Sequence, residues 1–272
     1  MKHAVVIAGD FRTFAYARLS AASLIHGADV YMSTWSESKF MHSVSRKVFD
    51  MGRFNADDAR TWFQNFTDRV NIDVEPYDAA YWRRFGYNSN YLHRMRRAID
   101  AIKTSGIEYD SVLFMRPDLM FNEAYAQQLR ERIRDVQPGQ MLTFLSNLES
   151  RTLNDMLFAL HGSDIDKVIP TVAAFQTHKH ADWHSFLYQH VTSAGIHIKN
   201  VDDAEYFLVL RPPIESASVL EFGAARRNQD AWNDIYVLHS INVDGIKTAV
   251  RAWGKRAVIR AIENIVDGTS SP

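Results

Sequence analysis

The residues of this chain best placed to do chemistry are Arg116-Pro117-Asp118. They follow Ser111–Met115, a short apolar run with β-favouring Val112 and Phe114 that predicts a buried strand of a parallel sheet. Pro117 has no N–H to give, so regular pairing ends there. Asp118 is thereby placed just past the carboxyl end of a central strand, the edge where open α/β sheets bind ligands. A carboxylate buried at such a place needs a cation or hydrogen-bond donors. Arg116 is one partner, a divalent metal carrying a diphosphate is another, and an Arg–Asp pair that only caps the strand is the third reading.

Other candidate residues lie at similar strand ends. Ala4 to Ala8 is an apolar run closed by Gly9-Asp10, and Phe11-Arg12-Thr13-Phe14 opens a helix that runs to about Ile25. Gly9 lets backbone approach a ligand closely, the helix start favours phosphate, and Arg12 adds a fork of donors. The GxGxxG pattern of dinucleotide sites is absent. Asp29 to Trp35 reads as a second strand, whose terminal indole is either core or a stacking surface for a base. Arg211, before Pro212-Pro213, ends a later strand at Tyr206 to Leu210 and could lie over the site.

Between Tyr81 and Arg97 the chain interleaves Arg83, Arg84, Arg94, Arg96 and Arg97 with Tyr81, Trp82, Phe85, Tyr87 and Tyr91. Aromatics with arginines can stack bases and grip phosphates, or can be core and solvated surface. Asn88-Ser89-Asn90 reads as a helix cap, with apolar residues at 91, 92, 95, 98, 99 and 102 following at helical spacing. The start of that helix would face a phosphate, with Arg94 the best single candidate. His178, His180, His184 and His190 carry no His-Glu-x-x-His pattern and read as ordinary helix histidines, not a metal site. Lys247, Arg251 and Lys255 share one face of a basic amphipathic helix, which packs on its own domain or meets a charged partner.

Composition sets outer limits. A net charge of −1 gives no global pull toward nucleic acid or anionic lipid, and the lack of cysteine excludes disulfides and thiolate metal sites. No apolar run reaches the length of a membrane span, and the opening apolar segment is too short for a signal sequence, so a cytoplasmic protein is expected. Oligomeric state is not legible.

The elements that must position these residues alternate. Further strands are expected at Val70 to Val74, Met141 to Leu145 and Ile196 to Val201. Helices are expected from Asn55, over Glu123 to Arg134, from Gly162 to Ala174, and over Asp182 to Gly195. Such alternation predicts an α/β fold, a mostly parallel sheet with helices on both faces. One domain is expected over 1–215, with a C-terminal helical extension over 216–272.

A hydrophobic strand ending in Arg116-Pro117-Asp118-Leu119, preceded by Val5–Phe14 and Asp29–Trp35 and followed by Leu153-Asn154-Asp155, resembles the modified DxD arrangement of GT-A-fold (Rossmann-like) nucleotide-diphosphosugar glycosyltransferases of phage, viral and capsular type. The resemblance covers roughly Met1 to Pro213. It implies a nucleotide diphosphosugar donor, most simply a UDP-sugar, contacted by Gly9, Arg12, Trp35, Arg94, Arg116 and Asp118. It also implies an acceptor beside Asn154 and Arg211, with Asp155 as general base and Asp118 as the other catalytic carboxylate. Where the family pattern has an acid, this chain has Arg116, which leaves open whether Mn2+ or Mg2+ at Asp118 or the guanidinium itself serves the diphosphate. Two acceptors fit: a glycan, or hydroxymethylated cytosine in phage DNA, the latter placing the protein in a host cytoplasm. The alternatives are a sugar-nucleotide-binding protein and a nucleotidyltransferase.

Overall fold

The computed structural model describes residues 2–11, 14–41, 48–121, 123–144, 146, 148–177, 182–201, 207–210 and 220–221. Its centre is a seven-stranded sheet of β1 (His3–Ala8), β2 (Asp29–Trp35), β5 (Val70–Glu75), β6 (Ser111–Met115), β8 (Gln140–Phe144), β9 (Leu157–Leu160) and β10 (His197–Val201). Their order across the sheet is β10-β8-β9-β6-β1-β2-β5. β1 pairs in parallel with both β2 and β6, β2 with β5, and β8 with β10. β9 alone runs the other way, between β6 and β8. The protein is thus α/β with a mostly parallel sheet, as the alternation of elements predicts.

The strands read as unbroken apolar runs because both faces are covered. Val5 and Ile7 of β1, with Leu113 and Met115 of β6, point to one face. There they meet Phe14, Leu24 and Ile25 from α1 (Phe14–Ala17) and α2 (Ala22–Ile25), Phe63 from α3 (Ala56–Gln64), and Leu129 and Ile133 from α5 (Glu123–Arg134). Ala4, Val6, Val112 and Phe114 point to the other face. They meet Leu92, Met95, Ile99 and Ile102 of α4 (Ala79–Ser105), Ile165 and Val168 of α6 (Ile165–Val168), and Trp183, Phe186 and Val191 of α8 (Trp183–Ser193). The period-two alternation of a strand thus builds two cores from one sheet.

Smaller elements decorate this frame. A hairpin of β3 (Glu37–Met41) and β4 (Val48–Arg53) follows β2, in a stretch where the sequence gives no strand signal. β7 (Leu119–Phe121) leaves the main sheet and pairs with β11 (Phe207–Leu210), which pairs with β12 (Leu220–Glu221).

Three expected boundaries are corrected. The helix expected to run to about Ile25 is interrupted, a 3-10 segment at Arg18–Ala21 separating α1 from α2. α4 is one continuous helix, so Asn88-Ser89-Asn90 does not cap it. Asn90 is tolerated inside because its side-chain oxygen accepts a hydrogen bond from Trp35 Nε1 at 2.6 Å. The helix expected from Gly162 to Ala174 is broken: a 3-10 turn and α6 end before Pro170, and α7 (Val172–Thr177) begins anew. The cap at Asn55 is found as expected, its side chain accepting from the Asp58 N–H at 3.0 Å. Beyond 201 only β11 and β12 belong to the described residues, so the proposed 216–272 extension falls outside them but for Leu220–Glu221.

Candidate functional site

β6 ends at Met115, and the chain turns at once. Leu119 N–H donates to the Arg116 carbonyl at 3.4 Å, closing a turn with Pro117 and Asp118 at its centre, as a proline at its second position favours. Because β9 is antiparallel to β6, its entry lies at the same edge: Met115 sits opposite Leu157, and Arg116 N–H donates to the Met156 carbonyl at 3.1 Å. The two acidic motifs, whose Asp118 and Asp155 are 37 residues apart in sequence, are thereby neighbours at the carboxyl edge of the sheet.

Arg116 and Asp118 form a two-pronged ion pair. Nε donates to Oδ1 at 2.9 Å and Nη2 to Oδ2 at 2.5 Å. The Asp118 side chain is 1% exposed and that of Arg116 9%. In this arrangement the Arg116 guanidinium is the cation that both Asp118 carboxylate oxygens meet. Among the described residues no group of three or more His, Cys, Asp or Glu side chains is arranged to hold a metal.

Gly9 lies beside this turn at φ +120°, a conformation open to glycine and closed to most other residues. A Cβ added there would stand 3.3 Å from Tyr91 Cδ2 and 3.6 Å from Pro117 Cδ. Tyr91 continues the connection, donating its hydroxyl to the Asp155 carbonyl at 2.8 Å. Asp155 is buried, and its Oδ2 accepts from Trp183 Nε1 at 2.7 Å. Its Oδ1 lies 4.0 Å from His184 Nδ1. Asn154 turns inward onto its own loop, its side-chain oxygen accepting from Met156 N–H at 2.9 Å and its N–H donating to Ser146 Oγ at 2.8 Å. Gly9, Arg116, Asp118, Asn154 and Asp155 are therefore gathered in one region.

Trp35 and Arg94 belong to a second cluster, at the carboxyl ends of β2 and β5. Arg94 is fully buried, with its guanidinium carbon 3.9 Å from the centroid of the Trp35 ring. It donates to the Thr34 carbonyl at 3.0 Å and to Glu75. Glu75 also accepts from His93, and Arg97 pairs with Asp73 at 2.7 Å. Burial pushes the Glu75 carboxyl up, but the bonds from His93 and Arg94 outweigh it and leave its pKa lowered. Burial also raises Asp73, and hydrogen bonds from Arg97 and Ser33 leave it lowered. The expected donor contact at Arg94 thus meets a guanidinium already enclosed by protein, and the indole of Trp35 is covered by it. Arg12, His178, His180 and Arg211 lie outside the described residues, as do residues 247–260, where a basic helix is expected.

Three further residues join this site. Tyr91, which the sequence offers as core or as a base-stacking aromatic, is core and also bonds the Asp155 loop; Trp183, for which the sequence carries no site signal, is core as well; and His184 reads from sequence only as a helix histidine.

The sequence matches no protein-family model, and it matches no curated protein. Among solved structures it is similar to the glycosyltransferase GlyE of Streptococcus pneumoniae TIGR4, at 13% identity and a TM-score of 0.44 over 75% of this chain and 46% of that one. The chain thus spans less than half the length of GlyE. It is also similar to a glycosyltransferase involved in glycosylation of the major capsid of PBCV-1, at 11% identity and a TM-score of 0.42 over 75% of this chain and 84% of that one. A third similar structure is S. aureus TarS 1-349, at 10% identity and a TM-score of 0.43 over 76% of this chain and 60% of that one. No helix among the described residues is long and apolar enough to cross a membrane.

Proposed function

We propose that this chain is a glycosyltransferase of GT-A-like architecture, moving a sugar from a nucleotide diphosphosugar, most simply a UDP-sugar, to an acceptor hydroxyl. The observation that carries this reading is the meeting of Arg116-Pro117-Asp118 with Asn154-Asp155 at one carboxyl edge of the sheet. That edge is where α/β sheets bind ligands. The chemistry breaks the bond between the sugar C1 and the diphosphate oxygen and forms one from C1 to the acceptor oxygen. The departing diphosphate takes the electron pair and needs positive charge, which Arg116 offers in a fixed orientation set by Asp118. The acceptor hydroxyl must lose a proton, and Asp155 is the carboxylate on that side, held by Trp183.

The described residues favour a glycan acceptor over DNA. A DNA enzyme needs exposed cations for phosphates. Of the α4 arginines whose side chains are described, Arg94 is buried, Arg96 donates to the Ile169 carbonyl and pairs with Asp166, and Arg97 pairs with Asp73 and Glu75; Arg83 and Arg84 are not among them. The test is transfer of labelled sugar from a panel of nucleotide sugars to glycans, to hydroxymethylcytosine-containing DNA and to unmodified DNA. Transfer to glycans is expected. Transfer only to the modified DNA would overturn the acceptor assignment, and nucleotide-sugar binding without any transfer would make this a binding protein.

A further inference from the structure

Resting on the glycosyl-transfer reading, we infer that His184 is the group that takes the acceptor proton, with Asp155 acting behind it. Asp155 is poorly arranged to do this alone: its side chain is 8% exposed, and Oδ2 is already bonded to the Trp183 indole. His184, the next residue of α8, has a side chain 49% exposed.

The ring is held in a defined way. Nδ1 lies 2.7 Å from the Leu153 carbonyl, which can only accept, so Nδ1 carries the hydrogen. In the neutral ring the lone pair is then on Nε2, which makes no hydrogen bond among the described residues. The backbone fixes the same register, as the Leu153 N–H donates to the His184 carbonyl at 3.2 Å. Asp155 Oδ1, 4.0 Å from Nδ1, is too far for a hydrogen bond but close enough to attract an imidazolium. A base oriented through its other nitrogen, with a carboxylate beside it, is the arrangement that nucleophile activation requires.

The step balances. The acceptor oxygen bonds to C1, its proton passes to Nε2, and the diphosphate leaves with the electrons of the C1–O bond. The imidazolium keeps its Nδ1 bond to Leu153, is balanced by Asp155, and returns the proton to water. His184 is a catalytic residue in this account and Asp155 a positioning residue.

His184→Asn tests the assignment, because the asparagine amide can replace Nδ1–H toward Leu153 while removing Nε2. Labelled transfer from UDP-, GDP- and CMP-sugars to p-nitrophenyl glycosides is measured beside UDP binding. The variant should fold and bind UDP as the native chain does, with kcat lowered about 10²–10⁴-fold. Imidazole should restore part of the rate in His184→Ala. Asp155→Asn should lower kcat while leaving donor KM within about twofold. Native-like kcat in His184→Asn, or no rescue of a folded His184→Ala by imidazole, overturns the role of His184 alone. A native chain that neither binds nucleotide nor transfers sugar overturns the glycosyl-transfer reading and this one with it.

Discussion

Tyr91 donates its phenolic hydroxyl to the Asp155 backbone carbonyl at 2.8 Å, and through that bond the longest helix of the described chain is tied to the loop that enters β9. The same ring stands against Gly9. One side chain therefore touches the ends of β1 and the 153–156 loop, and fixes their spacing. Tyr91→Phe keeps the ring and removes the bond. Urea unfolding should show a loss of about 0.5–1.5 kcal/mol, with the secondary structure unchanged. An unaltered midpoint would mean that the loop holds its place without it.

Two glycines should tolerate no side chain, for different reasons. Gly9→Ala forces a Cβ onto a backbone at φ +120° and toward Tyr91, and strain of that kind costs about 1–3 kcal/mol. At Gly162 the obstacle is space: an added Cβ would stand 2.2 Å from the Tyr109 carbonyl oxygen, a backbone atom that cannot swing away. Gly162→Ala should lose about 1–3 kcal/mol by overpacking. Only the first change should also disturb nucleotide binding, so thermal shift with UDP separates the two.

The Arg116–Asp118 pair makes an unusual forecast for mutants. Removing either partner leaves the other charge buried, so Arg116→Met and Asp118→Asn should each cost roughly 3–5 kcal/mol. Replacing both by apolar residues should recover much of that loss, because a buried pair is worth little more than good packing. The double variant should be folded and yet fail to bind UDP. Since both oxygens of Asp118 face Arg116, a chelator should leave UDP binding by the native protein unchanged; loss of binding on chelation would restore the metal reading of Asp118.

Acid stability should report on the second cluster. Asp73 and Glu75 are held below their ordinary values of 3.8 and 4.5. A carboxyl lowered on folding stabilises the protein above its unfolded pKa, and that contribution is lost as pH falls through the folded pKa. The native chain should therefore lose stability progressively below about pH 4.5. Arg97→Gln removes a partner of both carboxyls and should weaken this acid-side dependence. An identical slope in native and variant would mean that the pairs do not operate in solution.

The sheet was legible because its chemistry is local. β1, β2 and β6 are apolar runs bounded by Gly9, by Trp35 and by Pro117, and covered faces require no more than that. The hairpin at 37–53 was not legible, since its strands mix charged and apolar residues without a clean alternation. Asn90 looked like a cap because its partner, Trp35, lies 55 residues away. Arg94 looked like a phosphate contact for the same reason: Glu75 and Trp35, which enclose it, come from other strands. The site was half legible. Strand ends point to Asp118 and Asp155, but only the reversed direction of β9 brings them to one edge, and no spacing in the sequence announces which strand of a sheet is reversed. His184 had a faint signal, a histidine directly after a capped helix start, but its value depends on Leu153 and Asp155 across a loop.

The most direct measurement is a crystal structure of the protein with UDP bound. The nucleotide should lie at the carboxyl edge of the sheet, with its diphosphate beside Gly9 and Arg116 and with Asp155 and His184 facing the space beyond it. Density for UDP at the opposite edge, or in the groove between β5 and α4 lined by Arg69, Asn71 and Arg97, would contradict the account.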